Sequence, residues 1–351
     1  MFPFKHRCWL KPEKIMPNSE HHAIVIGIND YPLSGLAPLE GPVNDAKEFY
    51  VWLRDPEGGN LPESNIRRIL SSDFPSEEAQ PTPNQVEALF EPFISNYYID
   101  KKEGERLYIF AAGHGFGDPD EMDRTALYAA NAKKMFPWHV AVTDYVDWMR
   151  RHAIFDEIVL IMDCCRTSAM QYHIREPQYV VTPGDRNAAE VKCFSAFAVG
   201  RGQEARERRF ADGKRYGIFT RTMLDALRVT RPDEQGRVTG QLLKNQIHNS
   251  LSKFAGDVQV EPPKIQLDSA NDITFFQRKK TAGLPVRVDL KDYSGTETLV
   301  LYNGEFKEIR QERASAASLS FELEPGLYKI AVSSTGRQKI FEVPNNERIT
   351  V

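Results

Sequence analysis

The chain alternates short, sharply bounded apolar runs with longer stretches of helical periodicity. "HAIVIGIND" (22–30), "RLYIFAAGHGFG" (106–117), "EIVLIMDCC" (157–165) and "CFSAFAVG" (193–200) are aliphatic runs that stop abruptly in small or polar residues. Runs of this length without polar alternation belong to strands covered on both faces, as in parallel sheets. Between them, "PVNDAKEFYVWLRD" sets Val43, Ala46, Phe49, Tyr50 and Leu53 on one helical face. "PNQVEALFEPFISNYY" (83–98) has similar spacing, with Pro92 expected to kink or end the helix. "TDYVDWMRRH" (143–152) predicts a helix capped by Thr143, and "IFTRTMLDALRV" (218–229) a further amphipathic helix. Alternating strand and helix predict an α/β domain with a mostly parallel sheet over residues 21–280, after an N-terminal extension of residues 1–20.

The pattern changes near residue 280. "QRKKTAGLP" (277–285) is polar and ends in Gly and Pro, as a linker does. Beyond it "VRVDL", "TLVLYNGEF", "SLSFEL", "LYKIAV" and "KIFEV" alternate with turn signals, which predicts a small all-β, sandwich-like domain over residues 285–351. That segment has no His, no Cys and no acidic cluster, so it reads as a stabilising or docking appendage.

Composition narrows the function. With 41% hydrophobic and 27% charged residues the chain can bury an ordinary core. A net charge of −4 argues against nucleic acid as a partner. No apolar run approaches the roughly 20 residues of a membrane span, and "MFPFKHRCWLKPEKIMPNSE" has no apolar signal region, so no membrane partner is expected. The four cysteines, Cys8, Cys164, Cys165 and Cys193, form neither a disulfide framework nor paired C-x-x-C ligands. Neighbouring strand residues point apart, so the vicinal pair is not expected to bridge. A reducing, cytoplasmic location follows as an expectation.

In open parallel sheets ligands bind beyond the carboxyl ends of the strands. That rule selects His114, which sits between Gly113 and Gly115 after one apolar run, and Cys165 at the end of another. A thiol needs a nearby base to become a nucleophile at neutral pH, so the two are a candidate Cys–His dyad. The residues alone also allow a turn histidine and a space-filling cysteine. Side chains two apart on a strand share a face, so Asp163 should point with Cys165 while Cys164 points away. Cys164 is then a packed small residue or a second redox-active thiol.

"FAAGHGFG" and "LIMDCCRTS" resemble the two signatures of caspase-like cysteine peptidases, in the metacaspase and bacterial orthocaspase branch. "AIVIGINDY", "LEGPVNDAKEF", "FSAFAVGRGQEARE" and "GIFTRTMLDAL" agree in order, over residues from about 21 to about 255. The resemblance implies a caspase-like three-layer αβα domain and an endopeptidase cleaving after Arg, less often Lys. It implies Cys165 as nucleophile, His114 as its base, and Asp163 with Asp45 as the pocket for the basic side chain. Asp45 also reads as an acid favoured near a helix start. The N–H groups of Gly115 and Cys165 are expected to hold the oxyanion.

Three departures stand out: Ala112 where the family has Ser, Arg166 where it has His, and Tyr172 where some members place a calcium-binding Asp. No metal or other cofactor is therefore expected. Arg166 is expected either to steady a thiolate or to have a solvated or structural role. "MQYHIREPQYVVTPGDRNAAEVK" (170–192) and "QEARERRFADGKRYG" (203–217) read as surface loops. Their Arg175, Arg186, Lys192, Arg206, Arg208, Arg209, Lys214 and Arg215 are candidate processing sites for this enzyme or an activating protease, or simply a solvated basic surface. A pseudopeptidase scaffold that binds a regulatory partner is the rival reading. A nucleotide-binding domain lacks its glycine motifs. Bacterial relatives are associated with programmed death and antiviral defence, which reaches this chain by analogy only.

Overall fold

A computed structural model describes residues 16–351 except 101, 122, 168–172, 178, 180–185, 278–283, 292, 305, 324–325 and 344–347. Two compact units divide the chain, residues 1–277 and 278–351. In the first, β1 (His21–Gly27), α1 (Gly41–Arg54), β2 (Ile66–Leu70), α2 (Pro83–Glu87), α3 (Glu91–Asp100) and β3 (Gly104–Ala112) come first. Then come β4 (Gly115–Gly117), β5 (Thr125–Tyr128), β6 (His139–Val140), α4 (Val142–Arg151), β7 (Phe155–Asp163) and β8 (Lys192–Phe197). The unit closes with β9 (Glu207–Arg209), β10 (Arg215–Gly217), α5 (Ile218–Val229), β11 (Arg237–Thr239), α6 (Gly240–Ala255), β12 (Lys264–Leu267) and β13 (Thr274–Gln277).

The four continuous apolar runs are all strands of one six-stranded sheet, ordered β12-β8-β7-β3-β1-β2. Every pair is parallel except β12 against β8. Both faces are covered, which is why these strands show no polar alternation. Val159 and Ile161 of β7 pack with Phe49 and Trp52 of α1, Met223 and Leu224 of α5, and Leu243 and Ile247 of α6. Ile158, Leu160 and Met162 pack on the other side with Phe93 of α3 and with Tyr145, Trp148 and Met149 of α4. The strand order turns back at β1, so a crevice opens beyond the carboxyl ends of β1, β3 and β7.

Some expectations shift by a residue or a turn. Pro92 neither kinks nor ends a helix: α2 already stops at Glu87, and Pro92 is the second residue of α3, where a missing N–H costs nothing. Thr143 does not cap α4, which begins at Val142; its hydroxyl accepts from the Thr125 N–H at 3.0 Å and so ties the helix to β5. Tyr50 is only half-buried, whereas Trp52, left off the expected face, is buried and stacks on Phe49.

The second unit is a sandwich of β14 (Leu284–Asp289), β15 (Thr298–Asn303), β16 (Glu308–Arg313), β17 (Ser318–Leu323), β18 (Gly326–Val332), β19 (Gln338–Val343) and β20 (Arg348–Thr350). Its sheets run β17-β14-β20 and β16-β15-β18-β19, and Val288, Leu301, Phe321, Ile330 and Phe341 fill the core between them. β16 escapes the hydrophobic pattern because it is a polar edge strand, "EIRQER".

The register of the central sheet is marked by a buried ion pair. Arg106 of β3 stands opposite Glu157 of β7, and its Nε donates to the Glu157 carboxylate at 2.7 Å. The guanidinium also donates to the Tyr108 hydroxyl at 2.9 Å and to the Thr274 carbonyl at 2.7 Å. Removing one partner strands a buried charge. Glu157→Ala should therefore lower stability by about 3–5 kcal/mol in chemical denaturation, whereas Arg106→Met with Glu157→Leu should cost far less.

Candidate active site

Two helices point their N-termini at the crevice, and neither is capped by its own flanking side chain. The exposed N–H groups find acids from elsewhere in the chain. At α1 the Glu207 carboxylate of β9 accepts from the N–H groups of Gly41 (2.7 Å) and Glu40 (3.3 Å). At α5 the Asp163 carboxylate, at the end of β7, accepts from the N–H and hydroxyl of Thr220, at 3.1 and 2.7 Å. Asn44 Nδ2 donates to the Arg215 carbonyl at 2.9 Å, and Gly217 N–H donates to Asp45 at 2.9 Å. The β9–β10 hairpin thus clamps α1 and brings Asp45 towards Asp163.

Gly217 lies between the two acids. A Cβ there would stand 2.1 Å from one Asp163 oxygen and 3.0 Å from an Asp45 oxygen, so only glycine fits. Asp45 is 1% and Asp163 7% exposed. Burial, then the charge of Asp163, drives the Asp45 carboxyl well above the usual range. Burial raises Asp163 to about 6, against the pull of its Thr220 hydrogen bonds. Asp45 Oδ1 is buried with no hydrogen-bond partner.

Asp45 and Asp163 line a cavity of about 490 Å³ together with His114, Gly115, Cys165 and Gly217. His114 is held on three sides. Its N–H donates to the Tyr31 hydroxyl at 2.8 Å, its ring lies edge-on to Tyr31, and its Nε2 is 2.8 Å from the Ala37 carbonyl. A carbonyl can only accept, so Nε2 carries the proton and Nδ1 keeps the lone pair in the neutral ring. The Cys165 thiol is pushed up by burial and by the acids Glu204 and Asp163, while the Ala205 N–H bonded to it pulls the other way. The resting thiol is therefore protonated at neutral pH.

The expected strand parity extends one step past the strand. β7 ends at Asp163, yet Asp163 and Cys165 both reach the cleft while Cys164 is buried with Met162 on the opposite side. A Cβ on Gly115 would meet the Cys164 sulfur at 2.7 Å, so the first cysteine is the floor on which the glycine loop rests. Of the roles expected for Arg166, the contacts fit the structural one. It is buried, lies over the Phe197 ring at 4.3 Å, donates to Thr125 Oγ1 at 3.0 Å, and does not line the cleft.

The family model of the caspase domain matches residues 20–259. The chain belongs to the caspase-domain peptidase family. A probable protease of a Desulfuromonadales bacterium is 24% identical over 231 residues, 60% of this chain and 26% of that protein, so the chain spans about a quarter of that relative. Caspase-1 from Spodoptera frugiperda aligns with a TM-score of 0.47 at 12% identity, over 78% of this chain and 98% of that one.

The basic segments of this caspase-domain chain are less open than their composition implied. Residues 203–217 hold a β-hairpin: Arg208, Arg209 and Arg215 are strand residues. Arg208 donates to the Phe254 carbonyl at 3.0 Å, and Arg215 pairs with Glu40 at 3.3 Å. Lys192 begins β8 and pairs with Glu157 at 3.3 Å. Arg186 lies in a short 3-10 turn, and Cys8 and Tyr172 fall outside the described residues. Arg175, Arg206 and Lys214 are exposed and lie outside strands and helices. Asp118, Asp120 and His173 lie close enough to gather round a cation, but Asp118 already accepts from the N–H groups of Asp120, Glu121 and Ile174.

Sequence reasoning missed Tyr31, Ala37, Glu207, Gly217 and Thr220, which hold the predicted residues in place. Tyr31 ends the "AIVIGINDY" segment, Glu207 ends "FSAFAVGRGQEARE", and Gly217 and Thr220 lie in "GIFTRTMLDAL"; Ala37 acts through a backbone carbonyl that no motif spells out. Because the native Asp163 carboxyl keeps its proton to about pH 6 and an unfolded one releases it near 3.8, its contribution to stability falls as pH rises across that window. The total change is about 3 kcal/mol. The difference between wild type and Asp163→Asn in urea unfolding should shrink or reverse in that sense between pH 4 and 7, and a flat difference would refute the buried-proton account.

Proposed function

We propose that the chain is a cysteine endopeptidase that cleaves peptide bonds after Arg, less often Lys. The observation that carries this reading is the unpartnered, buried Asp45 Oδ1 beside Asp163, in the cleft that also holds Cys165 and His114. A guanidinium entering there supplies the missing donor and neutralises two acids that burial has made costly to ionise. An ammonium offers the charge without the planar fork, hence the ranking. An acidic side chain would bury a third carboxyl beside two whose charge is already costly.

In this reading Cys165 passes its proton to His114 Nδ1 as the sulfur attacks the scissile carbonyl. The N–H groups of Gly115 and Cys165 are assigned to the oxyanion. The imidazolium returns the proton to the leaving amine as the thioester forms, and water then releases the acid. No cofactor takes part. Arg175, Arg206 and Lys214 are the exposed places where cleavage by this enzyme or another would alter the loops around the cleft.

Peptides varied at P1 should be turned over in the order Arg, Lys, and negligibly Asp. Cys165→Ala should abolish hydrolysis, while Cys164→Ser keeps most of it. Asp163→Asn should cost about 2–5 kcal/mol in kcat/KM for an Arg substrate, the scale of a desolvated charge losing its partner. Absence of turnover with every P1 residue would favour a scaffold that binds without cutting. Mass spectrometry of wild type beside Cys165→Ala reports whether the chain cuts itself.

A further inference from the structure

The connection between β5 and β6 ends in a compact turn that no part of the peptidase reading uses. Met135 is 81%, Phe136 61% and Trp138 39% exposed, the Phe and Trp rings lie stacked 6.4 Å apart, and Lys133 and Lys134 flank them, exposed. The chain is acidic overall, yet residues 129–142 contain neither Asp nor Glu. The turn itself therefore carries two exposed cations and no acid, beside three exposed apolar side chains.

The backbone of the tip is closed on itself. Lys133 N–H donates to the Phe136 carbonyl at 2.9 Å and Phe136 N–H returns the bond at 3.0 Å. Trp138 N–H donates to Phe136 at 2.8 Å, and Ala129 N–H donates to the Trp138 carbonyl at 2.9 Å. These bonds engage the N–H groups of Ala129, Lys133, Phe136 and Trp138, which lowers the cost of placing the turn at a headgroup–acyl boundary, where the N–H groups of Lys134 and Met135 still meet water and headgroups.

We propose that this tip docks the protein on an anionic phospholipid surface. Met135, Phe136 and Trp138 would enter the headgroup–acyl boundary, and Lys133 and Lys134 would sit among the phosphates. Aromatic rings beside lysines are the side chains that favour that boundary, and basic residues near an anionic leaflet add attraction. A protein partner fits less well: a turn offering a few exposed side chains is far short of the roughly 800 Å² that each partner of a stable complex buries. The mode is adsorption: among the described residues no helix is long and apolar enough to cross a membrane. β5 runs back from the tip to Tyr128, which lines the cleft and whose N–H is bonded to the His114 carbonyl at 2.9 Å. Docking would place substrate selection beside the lipid.

The test is co-sedimentation of the full chain with vesicles of phosphatidylcholine alone or with about a third phosphatidylglycerol, at low and at 0.5 M salt. Binding is expected to the anionic vesicles only, weakened by salt. Met135→Ser with Phe136→Ser, and separately Lys133→Glu with Lys134→Glu, should each reduce binding at least fivefold, with circular dichroism and hydrolysis of a soluble peptide unchanged. These side chains are exposed, so the fold should tolerate both pairs; a single Phe136→Ser serves if the double variant does not fold. The proposal is overturned if wild type stays in the supernatant with anionic vesicles, or if folded tip variants bind as wild type does. Neither result bears on the peptidase reading, whose failure would appear in the soluble assay.

Discussion

Two carboxyl groups buried side by side in one cleft impose the conditions that the surrounding structure meets. Asp45 comes from α1 and Asp163 from the end of β7, and they meet only because Gly217 leaves room between them. Holding Asp163 ionised at neutral pH costs about 3 kcal/mol relative to water. A fold of ordinary stability, about 5–15 kcal/mol, can carry that cost but feels it. In the proposed function the same cost becomes affinity when a basic side chain enters, because the cation restores what burial took away.

The acids also do structural work. Asp163 supplies the N-terminus of α5 with an acceptor, Glu207 does so for α1, and Asn44 and Asp45 fasten the β9–β10 hairpin to α1. One hairpin thereby sets the position of a helix, and the helix sets the position of an acid. Under the proposed function, changes in the hairpin are expected to be felt in specificity before they are felt in chemistry at Cys165.

The nucleophile candidate and its base are arranged by different means. Cys165 owes its direction to strand parity, which sends Cys164 into the core and leaves its neighbour facing the cleft. His114 owes its direction to a hydroxyl and a carbonyl from the loop after β1, Tyr31 and Ala37. That loop fixes Nε2 as the protonated ring nitrogen and leaves Nδ1 free, which is what the proposed proton transfer from Cys165 needs.

Much of this was legible in one dimension. Apolar runs without alternation could only be strands covered on both faces, because any other placement would expose them or waste their burial; that gave the α/β class and put His114 and Cys165 at strand ends. Parity separated the two cysteines for the same local reason, the twofold repeat of an extended chain. What lay beyond the sequence was long-range. The role of Arg166 stayed open in the sequence and is settled by its burial over Phe197, and Arg208, Arg209 and Arg215 read as an open basic loop and form a hairpin. The partners of Asp45 and His114 are a glycine N–H and a backbone carbonyl. Every residue offers such groups, so no side-chain pattern marks the ones that the fold selects; only the packing of α1 against the hairpin, and of the Tyr31 loop against β3, decided them.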